Sequence, residues 1–102
     1  MVKISDCEEK VLKVVWDCEK EPDLKKVMDT VNEKHGLEWK PQTVSTFLAR
    51  LVRKGYLTGR RQGRYTYYTP TVSLADYRRE QLKGMIEFLY DGDVEKLKED
   101  LK

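Results

Sequence analysis

Seven cationic side chains fall between residues 39 and 75, in a span that contains no aspartate or glutamate. The segments before and after this span each carry more acidic than basic side chains, so the net charge of +2 conceals one concentrated positive region. Such a region attracts polyanions, and we expect it to contact the phosphates of a nucleic acid. The seven cations are Lys40, Arg50, Arg53, Lys54, Arg60, Arg61 and Arg64.

The first part of this basic region predicts a helix over residues 41–54. Pro41 suits the first helical position and Gly55 suits the end of a helix. One face repeats at intervals of three and four and is expected to pack on a core: Val44, Phe47, Leu48, Leu51 and Val52. The other face holds short polar groups followed by cations: Gln42, Thr43, Ser45, Thr46, Ala49, Arg50 and Arg53. Because short side chains allow close approach to base edges while arginine reaches phosphates, this face suits the DNA major groove.

The second part of the basic region predicts a β-hairpin. Residues 56–60 and 64–69 are two β-prone runs, with Gln62 and Gly63 at the turn. We expect Leu57, Tyr65 and Tyr67 to face the core and Arg60, Arg61 and Arg64 to lie near the tip. A helix followed by such a hairpin is a winged-helix arrangement, in which the wing lies along the DNA backbone. A solvated amphipathic helix and an ordinary surface hairpin are the alternatives to this DNA-binding interpretation.

Two further helices precede the basic one. Ser5 and Glu8 form a capping-box pattern for a helix over residues 6–18, and Asp23 caps a helix that ends at His35 and Gly36. Residues 37–39 are predicted to form a short connector, with an abbreviated first strand as the alternative. Three helices in this order predict a helix-turn-helix. Trp16 and His35 are interpreted as structural residues.

The C-terminal residues predict helices over 74–90 and 93–101, separated by Gly92. Their apolar surface is too large for two short helices to bury alone, so a second copy of the chain is the expected partner. The alternative is that helix 74–90 folds back on its own chain. The predicted dimerisation residues are Leu74, Tyr77, Leu82, Met85, Ile86, Leu89, Val94, Leu97 and Leu101.

The predicted fold class is therefore mainly α with a small β-hairpin wing: a winged helix-turn-helix domain over residues 1–70 and helical dimerisation over residues 71–102. The predicted DNA-binding residues are Lys40, Gln42, Thr43, Ser45, Thr46, Arg50, Arg53, Arg60, Arg61 and Arg64.

Other classes of protein find little support in the residues. No combination of serine, histidine and acid, or of cysteine and histidine, suggests an enzyme, and the pairs Glu8 with Glu9 and Glu99 with Asp100 are interpreted as solvated surface. With one histidine and no closely spaced cysteines, we expect no metal and no cofactor. The absence of a long apolar run and of a signal sequence predicts a cytoplasmic protein that does not enter a membrane.

Four segments resemble the BlaI/MecI penicillinase-repressor family: ISDCEEKVLKVVW, WKPQTVSTFLARLVRKGYL, GRYTYYTP and SLADYRREQLKGMIEFLYDGD. The resemblance covers nearly the whole chain in one register. It implies a bacterial homodimer that represses transcription at an inverted-repeat operator, with Gln42, Thr43 and Thr46 facing bases and Arg50 and the wing cations facing phosphates. It also implies that the two C-terminal helices form the dimer seam.

The chain departs from this family at several positions. Lys40 and Gln42 stand where Ser and Lys are common, which implies a different operator. The pair Asp100 and Leu101 stands where some members are cut by a sensor protease between asparagine and phenylalanine, so an inactivating protease partner lacks support. The cysteine-rich metal site of the copper-responsive branch is absent. A winged-helix module that binds an acidic protein partner remains the alternative function.

Overall fold

The computed structural model describes residues 1–102, with five helices and one two-stranded antiparallel sheet. The helices are α1 (Asp6–Asp17), α2 (Leu24–His35), α3 (Pro41–Arg53), α4 (Leu74–Leu89) and α5 (Val94–Asp100). The strands are β1 (Leu57–Gln62) and β2 (Tyr65–Pro70). The mainly α fold class with a hairpin wing is confirmed. The chain forms two compact units, Val2–Val72 and Ser73–Lys102, with Met1 assigned to the second.

Local hydrogen bonds set the ends of the first two helices. The Ser5 hydroxyl accepts a bond from the Glu8 backbone N–H, and the Glu8 carboxylate accepts one from the Ser5 N–H, so the capping box is confirmed. Asp23 caps α2 by accepting from the Lys26 N–H. Gly36 ends α2 in the left-handed region at φ 63°, which glycine adopts without a Cβ penalty.

The core of the first unit lies where α1, α2 and α3 meet. Its aliphatic side chains are at most 3% exposed: Val11, Leu12, Val14, Val15, Val27, Val31, Val44, Leu48 and Leu51. Burial of each such side chain contributes about 1.5–3 kcal/mol, so this cluster fixes the position of α3. Trp16 lies half-buried, and its indole Nε1 donates to the Val72 carbonyl at 2.8 Å. It has a structural hydrogen bond, as the sequence interpretation requires.

Glu8 is buried, so the prediction that Glu8 and Glu9 are both solvated is wrong for Glu8. Its side chain is 3% exposed and its Oε1 lies 2.9 Å from Nζ of Lys54, just after α3. Lys54 also donates to the Lys3 carbonyl, and the Tyr56 hydroxyl donates to the Val2 carbonyl. These contacts attach the N-terminal segment and α1 to the C-terminal end of α3.

Residues 37–39 form a connector, as predicted, and the alternative of an abbreviated strand is excluded. The side chain of Asn32 on α2 donates to the Trp39 carbonyl at 3.0 Å and accepts from the Trp39 N–H at 2.9 Å. A side-chain amide thus satisfies the backbone groups that a strand partner would otherwise bind. Leu37 donates its N–H to the Asn32 carbonyl in the turn that closes α2.

We expect Asn32→Ala to lower the free energy of unfolding by about 1–2 kcal/mol, because two half-buried backbone groups of Trp39 lose their partner. Chemical denaturation at neutral pH measures this loss. Glu33→Ala, at the neighbouring exposed position of α2, should change the free energy of unfolding very little. Equal stability of Asn32→Ala and the natural chain would contradict the assigned role.

The second unit contains two helices with side-chain caps. Ser73 caps α4 by accepting from the Asp76 N–H at 3.0 Å, and Asp93 caps α5 by accepting from the Glu95 N–H at 3.0 Å. Between the helices, Gly92 has φ 82°. The Tyr90 hydroxyl donates to the Asp100 carboxylate at 2.7 Å, which ties the end of α4 to the end of α5. None of the five helices combines the length and apolar character that crossing a bilayer requires.

Candidate nucleic-acid interface

Packing of α3 on the core determines which of its side chains reach solvent. Val44, Leu48 and Leu51 are fully buried, as predicted. Val52 was expected on the same face but is 40% exposed, because it lies beside the packed stripe at the end of the helix. The opposite face carries seven side chains that are exposed or half-exposed: Gln42, Thr43, Ser45, Thr46, Ala49, Arg50 and Arg53. The structure therefore brings the predicted α3 site residues onto one surface.

The N-terminal end of α3 differs from those of the other helices. Lys40 occupies the N-cap position in an extended conformation, and its side chain makes no capping hydrogen bond. Pro41 at the first helical position has no N–H to donate. The backbone N–H groups of the first turn therefore lack a side-chain cap, in a part of the chain without acidic residues. Such a helix end can donate hydrogen bonds to an anion.

Aromatic packing positions the first arginine of this surface. The rings of Trp39 and Phe47 lie with their centroids 5.1 Å apart, and the Cζ atom of Arg50 lies 6.0 Å from the centre of the Phe47 ring. The Phe47 ring thus supports the Arg50 guanidinium through an apolar and cation–π contact, while Arg50 remains exposed. Sequence reasoning missed this contribution of Trp39.

The hairpin has a short turn at Gly63 and Arg64. Gln62 pairs with Tyr65 as the last pair of the ladder, and Gly63 has φ 64°. The turn lies one residue later than predicted, because Gln62 belongs to the ladder. Arg64 in the turn and Arg61 close to it are both exposed near the tip, as predicted. Tyr65 was expected to face the core but is 51% exposed, because its position next to the turn lies beyond the buried base of the wing. The base is formed by Tyr56 and Leu57, each 2% exposed.

Arg60 is held by protein groups rather than left free. Its guanidinium lies 3.5 Å from the Glu21 carboxylate, 2.9 Å from the Gln62 amide oxygen and 5.6 Å from the centre of the Tyr67 ring. The other Glu21 oxygen accepts from the Thr69 hydroxyl at 2.6 Å. This hydrogen bond, together with the charge of Arg60, holds the pKa of Glu21 below its ordinary value.

The loop between α1 and α2 therefore attaches to the wing. Besides the contacts of Glu21, the Pro22 carbonyl accepts a bond from the Tyr68 N–H at 3.0 Å. Neither contact is visible in the sequence pattern, because each joins residues more than forty positions apart. These contacts hold the wing in place relative to α1 and α2, on which α3 packs.

The seven cations of the basic region separate into two groups. Lys54 pairs with Glu8 and Arg60 pairs with Glu21. The other five form no ion pair: Lys40, Arg50, Arg53, Arg61 and Arg64. The unpaired cations belong to α3, the residue before it and the tip of the wing. This surface can bind an anion that extends past both elements. No three histidine, cysteine or acidic residues come together in a way that could hold a metal ion.

Comparison with protein families gives a match over nearly the whole chain. Residues 4–101 match the family model described as penicillinase repressor. The penicillinase repressor of Bacillus licheniformis is 30% identical over 92 residues, which span 90% of this chain and 70% of that protein. The methicillin resistance regulatory protein MecI of Staphylococcus aureus is 25% identical over 95 residues, which span 93% of this chain and 75% of that protein.

Solved structures agree with the sequence match. The DNA-binding domain of the repressor BlaI superposes with a TM-score of 0.62 at 35% identity, over 74% of this chain and 88% of that domain. The monomeric form of BlaI from Bacillus licheniformis in complex with the blaP half-operator gives a TM-score of 0.59 at 34% identity, over 74% and 89% of the two chains. The chain therefore belongs to the penicillinase repressor family, whose members are winged-helix transcriptional repressors and not enzymes.

Proposed function

We propose that this chain represses transcription by binding an inverted-repeat operator as a homodimer, with α3 in the major groove and the wing on the DNA backbone. The observation that carries the proposal is the exposed face of α3 with five unpaired cations on and around it. Its position in a winged helix similar to one solved with a half-operator supports DNA as the anion. Unpaired cations on both α3 and the wing suit a phosphate backbone.

Within this surface we assign bases to the N-terminal half of α3 and phosphates to the rest. Gln42, Thr43, Ser45 and Thr46 are short enough to let the helix approach base edges, and glutamine can bond adenine through both N6 and N7. Lys40, Arg50 and Arg53 lie at the ends of that surface and are assigned to phosphates, as are Arg61 and Arg64. Arg60 was predicted to bind DNA, but its contacts with Glu21 and Tyr67 favour a role in holding the wing.

The second unit supplies the proposed dimer seam. Phe88, Leu89 and Leu101 are 83%, 65% and 77% exposed, and Leu82 and Val94 are 48% and 46% exposed. Exposed apolar side chains at this density favour burial against another subunit. Residues 1–70 would then bind DNA and residues 71–102 would join two copies. Because a two-fold dimer presents two identical DNA-binding surfaces related by symmetry, its operator should be an inverted repeat.

The predicted set of seam residues changes at two positions. Tyr77 is only 6% exposed in the single chain and so offers little surface to a second copy, whereas Phe88 was not among the predicted residues. We retain the remaining predicted residues in the proposed seam and add Phe88: Leu74, Leu82, Met85, Ile86, Phe88, Leu89, Val94, Leu97 and Leu101.

Selection from random duplexes at about 150 mM salt tests the proposal, because counterion competition weakens non-specific binding at that concentration. We expect enrichment of an inverted repeat whose half-sites lie about one helical turn apart. Salt-sensitive binding to every duplex without enrichment would contradict the repressor function. That result would instead favour a module whose basic face binds an acidic protein.

The assignment of bases and phosphates predicts different effects for two substitutions. Gln42→Ala should relax the preference at one base pair by about 1–3 kcal/mol, because a base contact is lost. Arg50→Ala should weaken binding to all duplexes alike, because a phosphate contact carries no sequence information. Competition binding with the selected duplex and its single-base variants measures both effects. The reverse pattern would show that the assignment is wrong.

The pairing of Arg60 predicts a contrast within the wing. Each phosphate contact contributes a slope of about −0.9 to the plot of log affinity against log salt concentration. Arg61→Gln removes one contact from each subunit and should therefore make the slope for the dimer shallower by about 1.8, whereas Arg60→Gln should leave the slope nearly unchanged, because Arg60 already pairs with Glu21. Titrations of one duplex at four salt concentrations compare the two variants. Equal changes of slope would show that Arg60 also contacts phosphate.

A further inference from the structure

The hydroxyl group of Thr46 is already used inside α3. Its Oγ1 donates to the Gln42 carbonyl one turn earlier, at 3.0 Å. A hydroxyl has one proton, so in this conformation Thr46 has none to donate to the acceptors N7, O6 or O4 on base edges. Since Oγ1 is directed along the helix towards Gln42, the methyl group Cγ2 is the branch that remains for a partner outside the helix.

A second methyl group lies beside that of Thr46. Ala49 is exposed and follows Thr46 by three positions, a spacing that places two side chains next to each other on a helix surface. Its Cβ can make only apolar contacts. Around these two methyl groups the exposed face of α3 is polar or cationic, with Gln42 towards the N-terminus and Arg50 and Arg53 towards the C-terminus. The face therefore contains a small apolar area, which we call the methyl spot and define as Thr46 Cγ2 with Ala49 Cβ.

The major groove presents one apolar group at its base edges, the 5-methyl group of thymine. We propose that the methyl spot reads thymine in each half-site of the operator. This inference rests on the proposed function, because it requires α3 to lie in the major groove. It assigns Ala49 a role in base recognition and gives Thr46 a specific one, namely apolar contact rather than hydrogen-bond donation.

The experiment uses the duplex selected with the full chain and replaces its thymines one at a time by deoxyuridine, which lacks only the 5-methyl group. For the natural chain, at least one replacement in each half-site should weaken binding about four-fold, as expected for the loss of one buried methyl group. Thr46→Val keeps the methyl group and should keep this penalty. Thr46→Ser keeps the hydroxyl but loses the methyl group, and should reduce the penalty towards one-fold.

Two further variants complete the comparison. Ala49→Gly removes the second methyl group and should also reduce the deoxyuridine penalty, while Thr58→Ser, the same change as Thr46→Ser at an exposed position of β1, should leave it unchanged. Because each variant is compared on two duplexes that differ by one methyl group, general losses of affinity or stability cancel.

The outcomes separate this inference from the function on which it rests. Failure to enrich any duplex would overturn both. An enriched inverted repeat whose thymines can all be replaced without loss would overturn thymine reading alone. A deoxyuridine penalty that persists in Thr46→Ser and in Ala49→Gly would also overturn it, because the methyl group would then be read by another residue.

Discussion

Replacing Lys54 by methionine is expected to lower the free energy of unfolding by about 3 kcal/mol, because it leaves a buried carboxylate without its cation. The Glu8 side chain is 3% exposed, and Lys54, itself 26% exposed, lies 2.9 Å from its Oε1. After the substitution the Ser5 N–H still donates to the Glu8 carboxylate, but no cation pairs with it. Urea denaturation at pH 7 measures the loss.

An exposed ion pair on α2 supplies the control. Lys25 lies 2.7 Å from Asp29, but the two side chains are 78% and 54% exposed, so water screens their interaction. Lys25→Met makes the same chemical change as Lys54→Met and should shift the urea midpoint very little. Equal shifts for the two variants would show that burial of Glu8 adds nothing to the strength of its pair with Lys54.

The same pair predicts how stability depends on pH. Burial acts to raise the pKa of Glu8, but the bonds from Ser5 and Lys54 and the charge of Lys54 outweigh it, so the pKa lies below its ordinary value of 4.5. A carboxylate with a lowered pKa stabilises the fold fully above its ordinary value and loses this contribution as pH falls through the lowered one. We expect the stability difference between the natural chain and Glu8→Gln to be constant near neutrality and to shrink in acid. A stability difference that grows as the pH falls would show that the pKa of Glu8 is not lowered.

Elements with local signals were predicted well from the sequence. Pro41 and Gly55 mark the ends of α3 because each acts through its own backbone, and the Ser5 and Glu8 capping box needs only a spacing of three. The exposed face of α3 follows from helical periodicity alone. These features require no knowledge of what lies opposite in the fold, so one sequence suffices to identify them.

The errors involve contacts between residues distant in the chain. Glu8 was interpreted as solvated, yet its partner Lys54 lies 46 positions away. One signal was available, because Glu8 precedes Val11 and Leu12 by three and four positions and so falls on the buried stripe of α1. The pairing of Arg60 with Glu21 has no local signal in the sequence either. Tertiary contacts thus divide the cations of the basic region into paired and unpaired ones.

Separation of the proposed dimer should weaken operator binding more than any single base contact does. We expect Phe88→Asp to yield monomers, because it would place a charge in the proposed seam, and to reduce affinity for the inverted repeat about 10²- to 10⁴-fold through loss of the second binding event. Phe88 is 83% exposed in the single chain, so the substitution should leave the fold of each subunit intact. Analytical ultracentrifugation gives the oligomeric state, and titration gives the affinity.

A matched variant and a shorter duplex separate dimerisation from other effects. Gln81→Asp adds the same charge to α4 at an exposed position outside the apolar set and should leave the dimer intact. Binding to a single half-site should be equal for the natural chain and Phe88→Asp, because each subunit keeps its own α3 and wing. If Phe88→Asp remained dimeric, the seam would lie elsewhere. If it became monomeric but bound the inverted repeat as tightly as before, the two half-sites would be occupied independently, and dimerisation would not determine operator affinity.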